Sequence, residues 1–141
     1  MSQTIVITGA SDGIGAAAAR ELCAQGHKVV VVGRSPAKTR EVATALGADF
    51  FVADFARFSE VRELADALRT AYPRIDVLAN NAGGVFSQRA LTEDGHELTF
   101  QVNHLSPFLL TLSLLDTLTA SKARVVQTSS LGARVSGHIC C

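Results

Sequence analysis

Between residues 8 and 15 the chain reads Thr-Gly-Ala-Ser-Asp-Gly-Ile-Gly, a stretch that joins the apolar run Thr4 to Thr8 to a helix-like segment. Gly9 lets the chain turn sharply off a strand. Gly13 and Gly15 let backbone approach a ligand with no Cβ in the way, and the helix start offers unpaired N–H groups to an anion. This is the composition of a cradle for a dinucleotide pyrophosphate, with Gly9, Ser11, Asp12, Gly13, Ile14 and Gly15 as its candidate contacts. The second apolar run ends in Gly33-Arg34-Ser35, with no acid to bond the adenosine ribose hydroxyls. A guanidinium there suits a 2′-phosphate, so Arg34 favours NADP(H) over NAD(H). Further along stand Asn80-Asn81-Ala82-Gly83, then Asn103, then Ser129-Ser130.

These residues need elements to carry them, and short β-branched runs alternate with helical patterns from end to end, which argues for a parallel sheet with helices. Thr4 to Thr8 is the first strand, and Ile14, Ala18 and Leu22 recur every four residues as a helical face that stops near Gly26. Lys28 to Gly33 is continuously apolar after its first residue, as in a strand buried on both faces. Ser35 is a natural N-cap with Pro36 behind it, and Gly47 closes that second helix. A third strand falls in residues 48–54, a third helix follows Ser59 and stops at Pro73, and a fourth strand covers residues 75–80. Residues 90–118 predict one long helix with Leu98, Val102, Leu105, Leu109 and Leu112 along its apolar face, kinked by Pro107. Residues 123–130 predict the fifth strand, and Gly132, Ser136 and Gly137 read as loop.

Composition excludes several other classes. The 141 residues suit a single domain, 48% are apolar, and thirteen basic residues balance thirteen acidic ones without a basic block. Neither nucleic acid nor a membrane surface is expected as a partner. Residues 105–115 are apolar but too short and too interrupted to cross a bilayer, and the start of the chain has no secretory pattern, so a cytoplasmic location is expected. Cys23 stands alone and Cys140-Cys141 are adjacent, which is neither a disulfide framework nor a zinc spacing, and no metal site is expected.

Taken in order, the glycine-rich turn, the Asn80 to Gly83 motif, Asn103 and Ser130 resemble the short-chain dehydrogenase/reductase family across essentially the whole chain. Residues 91–111 and 123–130 are similar to the branch that includes retinol dehydrogenases. The resemblance implies a Rossmann-like, doubly wound α/β domain over residues 1–141, with parallel strand order 3-2-1-4-5. It implies reversible hydride transfer between the nicotinamide and a small alcohol or carbonyl. By position, Asp54 and Phe55 flank the adenine, Asn80 braces the sheet, and Asn81, Ala82 and Gly83 line the ribose and nicotinamide side. Asn103 holds a water in the proton path through its helix. Ser130 donates to the substrate oxygen, where negative charge develops.

One departure bears on activity. The family's proton donor is a tyrosine four residues ahead of a lysine, downstream of the serine. The only tyrosine here is Tyr72, followed at that offset by Asp76. The expectation is a chain that holds the front part of the family's fold, stops after strand five and reduces carbonyls feebly or not at all, with an open strand edge that favours self-association. The rival reading is a non-catalytic dinucleotide-binding module.

Overall fold

The computed structural model describes residues 1–131. The loop expected at Gly132, Ser136 and Gly137, and Cys140 and Cys141, lie outside the described residues.

Five parallel strands, β1 (Thr4–Thr8), β2 (Lys28–Gly33), β3 (Asp49–Val52), β4 (Val77–Asn80) and β5 (Arg124–Gln127), form one sheet in the order β3-β2-β1-β4-β5. Helices α1 (Gly13–Ala24), α2 (Pro36–Leu46) and α3 (Phe58–Ala71) connect the first four strands. A broken helical segment connects β4 to β5. It comprises the single turn α4 (Leu98–Phe100), a π-helical stretch (Gln101–Leu105), α5 (Ser106–Ser113) and α6 (Leu115–Ala120).

The sheet buries both faces because its central strands are apolar at every position. Ile5, Ile7, Val29 and Val31 pack with Ala19 of α1 and Ala43 of α2 on one face. Val6, Val30 and Val32 point the other way, onto Val61, Leu64 and Leu68 of α3 and Leu110, Leu114 and Leu118 of the last two helices. The α2 boundaries are those its sequence announces: the Ser35 hydroxyl accepts the Lys38 N–H, Pro36 opens the helix and Gly47 caps it.

Four helical expectations need correction. The segment before β5 begins at Leu98 rather than residue 90, since Leu91 bridges Glu97 in antiparallel fashion ahead of it. Its fully buried face is Gln101, Ser106, Leu110, Leu114 and Leu118; Val102 and Leu109 of the expected face pack half buried against the core, while Leu112 is half exposed. The reason is the π-helical stretch: the Ser106 N–H reaches the Gln101 carbonyl five residues back, and the extra residue turns every later side chain by about 100°. Instead of the simple kink expected at Pro107, the structure has this widened turn immediately before it. In α1 the fully packed residues are Gly15, Ala16 and Ala19; Ala18 and Leu22 of the expected face are half buried against the same core, and Ile14, 81% exposed, is not part of it.

Candidate functional site

Because all five strands are parallel, the residues of interest collect at one end of the sheet, where Thr8, Gly33, Asn80 and Gln127 finish their strands. The glycine-rich turn leaves β1 there. Gly9 has φ +65°, and a Cβ at this position would lie 2.7 Å from the Ala82 Cα. A Cβ on Gly15 would overlap the Gly9 carbonyl. The turn, the first turn of α1 and the loop after β4 are therefore in direct contact. Gly13 differs: its φ is +52° and nothing lies within 4 Å of where its Cβ would be. So Gly15 is required by the protein's own backbone, and Gly13 is the glycine that keeps the mouth of the turn open.

Thr8, fully buried, fastens this junction. Its hydroxyl accepts the N–H groups of Asn81 at 3.1 Å and Ala82 at 3.0 Å and donates to the Ala79 carbonyl at 3.4 Å. The Asn81 side chain returns the contact, its Nδ2 donating to the carbonyls of Thr8 at 3.2 Å and Gly9 at 3.3 Å. Thr8 was not singled out from the sequence, since a threonine ending a strand carries no signal of what it will meet over 70 residues later.

Asp12 is the N-cap of α1. Its Oδ1 accepts the Gly13 N–H at 2.7 Å, and its Oδ2 lies 3.4 Å from the Lys38 Nζ. That backbone bond first, and Lys38 second, hold its carboxyl below the usual aspartate range. The amides of Ile14 and Gly15 are among the first four of the helix, whose acceptors would lie before it begins. Ser11, Asp12, Gly13, Arg20 and Lys38 help line a cleft of about 360 Å³ between α1 and α2. Arg34 stands exposed at the end of β2 and forms no ion pair with another described residue.

On the opposite side of the turn, Asp54 accepts the Ala56 N–H at 2.9 Å through Oδ1. The Phe55 ring is buried in the core, and its carbonyl accepts from the Ser106 hydroxyl at 2.6 Å and from Gln101 Nε2 at 3.4 Å. Gln101 Nε2 also donates to Asp94 at 2.9 Å, and the same Asp94 oxygen accepts the Phe58 N–H. These two bonds, the backbone one first, hold the Asp94 carboxyl below its ordinary range. The π-helical stretch makes this possible: Gln101 and Ser106 are five apart yet reach the same carbonyl. A polar pair at that spacing inside an apolar segment is the sequence signal that could have pointed here, and it was not read.

Asn80 is buried, and its Nδ2 donates to Thr111 Oγ1 at 2.9 Å, tying β4 to α5. Its Oδ1 has no partner among the described residues. Both polar atoms of the Asn103 side chain are taken by Gly84, Oδ1 accepting its N–H and Nδ2 donating to its carbonyl, each at 2.8 Å. Asn103 thus clamps the loop next to Gly83. Ser130 lies exposed beyond β5, in a segment fastened to β4 by the Thr128 N–H on the Asn80 carbonyl at 3.1 Å. Tyr72 is remote from all of this: its hydroxyl donates to Asp49 at 2.5 Å, at the start of β3 and the opposite end of the sheet. Burial first, and Asp49 second, push its phenol well above the ordinary range.

Comparison with known proteins agrees with this arrangement. The family model described as short chain dehydrogenase matches residues 3–140. The chain is 51% identical over 134 residues to DnrU of Streptomyces sp. (strain C5), assigned as a daunorubicin C-13 ketoreductase, covering 91% of this chain and 46% of that protein. It is 38% identical over 145 residues to human retinol dehydrogenase 13, covering 97% of this chain and 44% of the relative. Among solved structures, the RhlG/NADP active-site complex of Pseudomonas aeruginosa superposes with a TM-score of 0.81 at 30% identity, covering 93% of this chain and 56% of that one. The chain therefore spans less than half the length of these two curated relatives.

Proposed function

The chain belongs to the short-chain dehydrogenase family, and from that premise we propose that it carries the dinucleotide-binding half of an NADP(H)-dependent oxidoreductase for alcohol or carbonyl substrates. The observation that carries the reading is the junction of glycine turn, α1 and the Asn81–Ala82 loop at the strand ends, with an open mouth at Gly13 and an unpaired Arg34 beside it. The cradle fits the group: it offers the helix-start amides of Ile14 and Gly15, no Cβ at the mouth, and an exposed Ile14 at its edge. The relative solved with NADP, similar over 93% of this chain, supports the same assignment.

When bound, the nicotinamide supplies hydride exchange with a carbon of the substrate. The chain's own residues bind and orient. The amides of Ile14 and Gly15 hold the pyrophosphate, Gly13, whose N–H is taken by Asp12, keeps its approach open, and Arg34 holds the 2′-phosphate. Asp54 reaches the adenine with its carboxylate, whereas Phe55, with its ring in the core, contributes only backbone. Asn81, Ala82 and Gly83 wall the ribose and nicotinamide side, and Asn80 braces β4. The Asn103 amide is committed to Gly84, so its backbone carbonyl is the atom left to hold a water. Asn103 lies in the π-helical stretch just ahead of Pro107, whose nitrogen has no N–H to donate back into it. Ser130 donates to the substrate oxygen.

Proton delivery by a positioned acid contributes about a hundred- to ten-thousandfold, and Tyr72, held by Asp49 at the far end of the sheet, does not supply it. These 141 residues are therefore expected to bind dinucleotide and turn over carbonyls poorly. Titration of NADPH and NADH against the chain and its Arg34→Asp variant tests the reading. The wild type should prefer NADPH, and the variant should lose about 1.5–3 kcal/mol toward it. Equal affinities in the wild type would remove the NADP(H) preference, and no binding of either would remove the dinucleotide site. NADPH oxidation with aldehydes and ketones at the rate of a full-length relative would overturn the expectation of feeble turnover.

A further inference from the structure

Asp12 brings a negative charge to the place where the proposed reading needs an anion. It sits at the mouth of the α1–α2 cleft with its side chain mostly exposed, and a carboxylate there opposes an incoming phosphate. Its counter-charge comes from another element. Lys38, in the first turn of α2, sends its Nζ across the opening to within 3.4 Å of the Asp12 Oδ2, linking residues 26 apart in sequence. Arg34, four residues before Lys38, has no such engagement with a described residue. Lys38 is thus committed to Asp12 and Arg34 is not, while the cleft wall adds one further residue of each sign, Arg20 and Glu41.

We propose that the Asp12–Lys38 pair is a second determinant of dinucleotide choice: Lys38 cancels the Asp12 charge so that a 2′-phosphate is admitted next to Arg34. This rests on the dinucleotide reading above. Lys38 is here a positioning and charge-balancing residue. Removing it exposes Asp12 and penalises the ligand that carries the additional phosphate, while removing both charges restores the balance, since Arg20 and Glu41 in the cleft wall are the same in every variant.

The adenosine half of the ligand suffices as a probe, so 2′,5′-ADP and 5′-AMP are titrated calorimetrically against the wild-type chain, Lys38→Met, Asp12→Asn and the double variant near 0.1 M salt. Lys38→Met should weaken 2′,5′-ADP by about fivefold, the upper range for one exposed charge pair, and change 5′-AMP by less than about twofold. Asp12→Asn/Lys38→Met should return 2′,5′-ADP to within about twofold of wild type. Equal weakening of both nucleotides, an unchanged ratio, or no recovery in the double variant would overturn the role of the pair and leave the dinucleotide reading standing. Failure of the wild type to bind either nucleotide would overturn both. Circular dichroism of each variant separates loss of binding from loss of fold.

Discussion

The two flanks of β4 are built differently. Toward β1, the loop after β4 is interlocked with the glycine turn: Thr8 holds two of its N–H groups, Asn81 holds two carbonyls of the turn, and a Cβ on Gly9 or Gly15 has no room. Toward β5 there is a single ladder. Arg124 to Gln127 are all exposed, and among the described residues β5 pairs with β4 alone. The difference teaches that the glycine-turn side is preorganised by its own contacts, whereas among the described residues β5 joins the sheet through its ladder with β4. Substitutions on the first side should cost both stability and binding, and those on the second should alter association with little effect on either.

The largest effect expected is at Gly15. Alanine there pushes into the Gly9 carbonyl, which is backbone and cannot swing away, so destabilisation of about 3 kcal/mol is expected together with loss of dinucleotide binding. Urea denaturation and NADPH titration check it; wild-type stability would mean that the turn and α1 are not interlocked.

Thr8→Val keeps the shape and removes the hydroxyl, leaving the Ala82 N–H without its acceptor. A loss of about 1–3 kcal/mol is expected, with weaker dinucleotide binding because the Asn81–Ala82 loop is released. Thr8→Ser, which keeps the oxygen, should recover most of the binding.

How legible was this contrast in the sequence? The unbroken valines of β2 and the Ser35-Pro36 start of α2 fixed those elements by local chemistry alone. The strand order came through the family resemblance. The long segment before β5 misled, because its apolar spacing was read at 3.6 residues per turn and the π-helical stretch shifts that phase in mid-segment. Ile14 looked like core and is exposed, since in the first turn of α1 it is Gly15 and Ala16 that face the protein and Ile14 that faces out. In the site, glycines and asparagines were visible as types at spacings. What they touch was not, because Thr8 with Ala82, Asp12 with Lys38 and Asn103 with Gly84 are contacts between distant segments. The signal for each is a single ordinary polar residue.

At low pH the distinction between flanks should narrow from the far end of the sheet. The Arg74 guanidinium, and then the Thr4 N–H at 2.8 Å, hold the Asp76 carboxyl below its ordinary range. A carboxyl lowered in the folded state contributes stability that is present above its unfolded value, about 3.9, and is lost as pH falls through the lower folded value. Stability should decline below about pH 4, and Asp76→Asn should flatten that decline while costing less than about 1 kcal/mol at neutral pH. Denaturation midpoints between pH 3 and 7 provide the measurement, and an unchanged slope in the variant would remove Asp76 from the account.

The smallest change in stability belongs to the open edge. Val126→Lys puts a charge on a strand that is already exposed, so stability should move by less than about 0.5 kcal/mol. Self-association, if this edge drives it, should fall. Size-exclusion chromatography at several concentrations decides, and equal elution of variant and wild type across the series would place any association elsewhere.

The most direct test of the central claim, that the junction of glycine turn, α1 and the β4 loop is the dinucleotide site, is an amide-resolved NMR titration of the ¹⁵N-labelled chain with NADPH. The account predicts saturable shifts concentrated at Gly13, Ile14, Gly15, Arg34 and Asn81 to Gly83, with the amides of α3 and the Tyr72–Asp49 end of the sheet unmoved. Shifts centred on that far end, or none at the glycine turn at saturating NADPH, would contradict it.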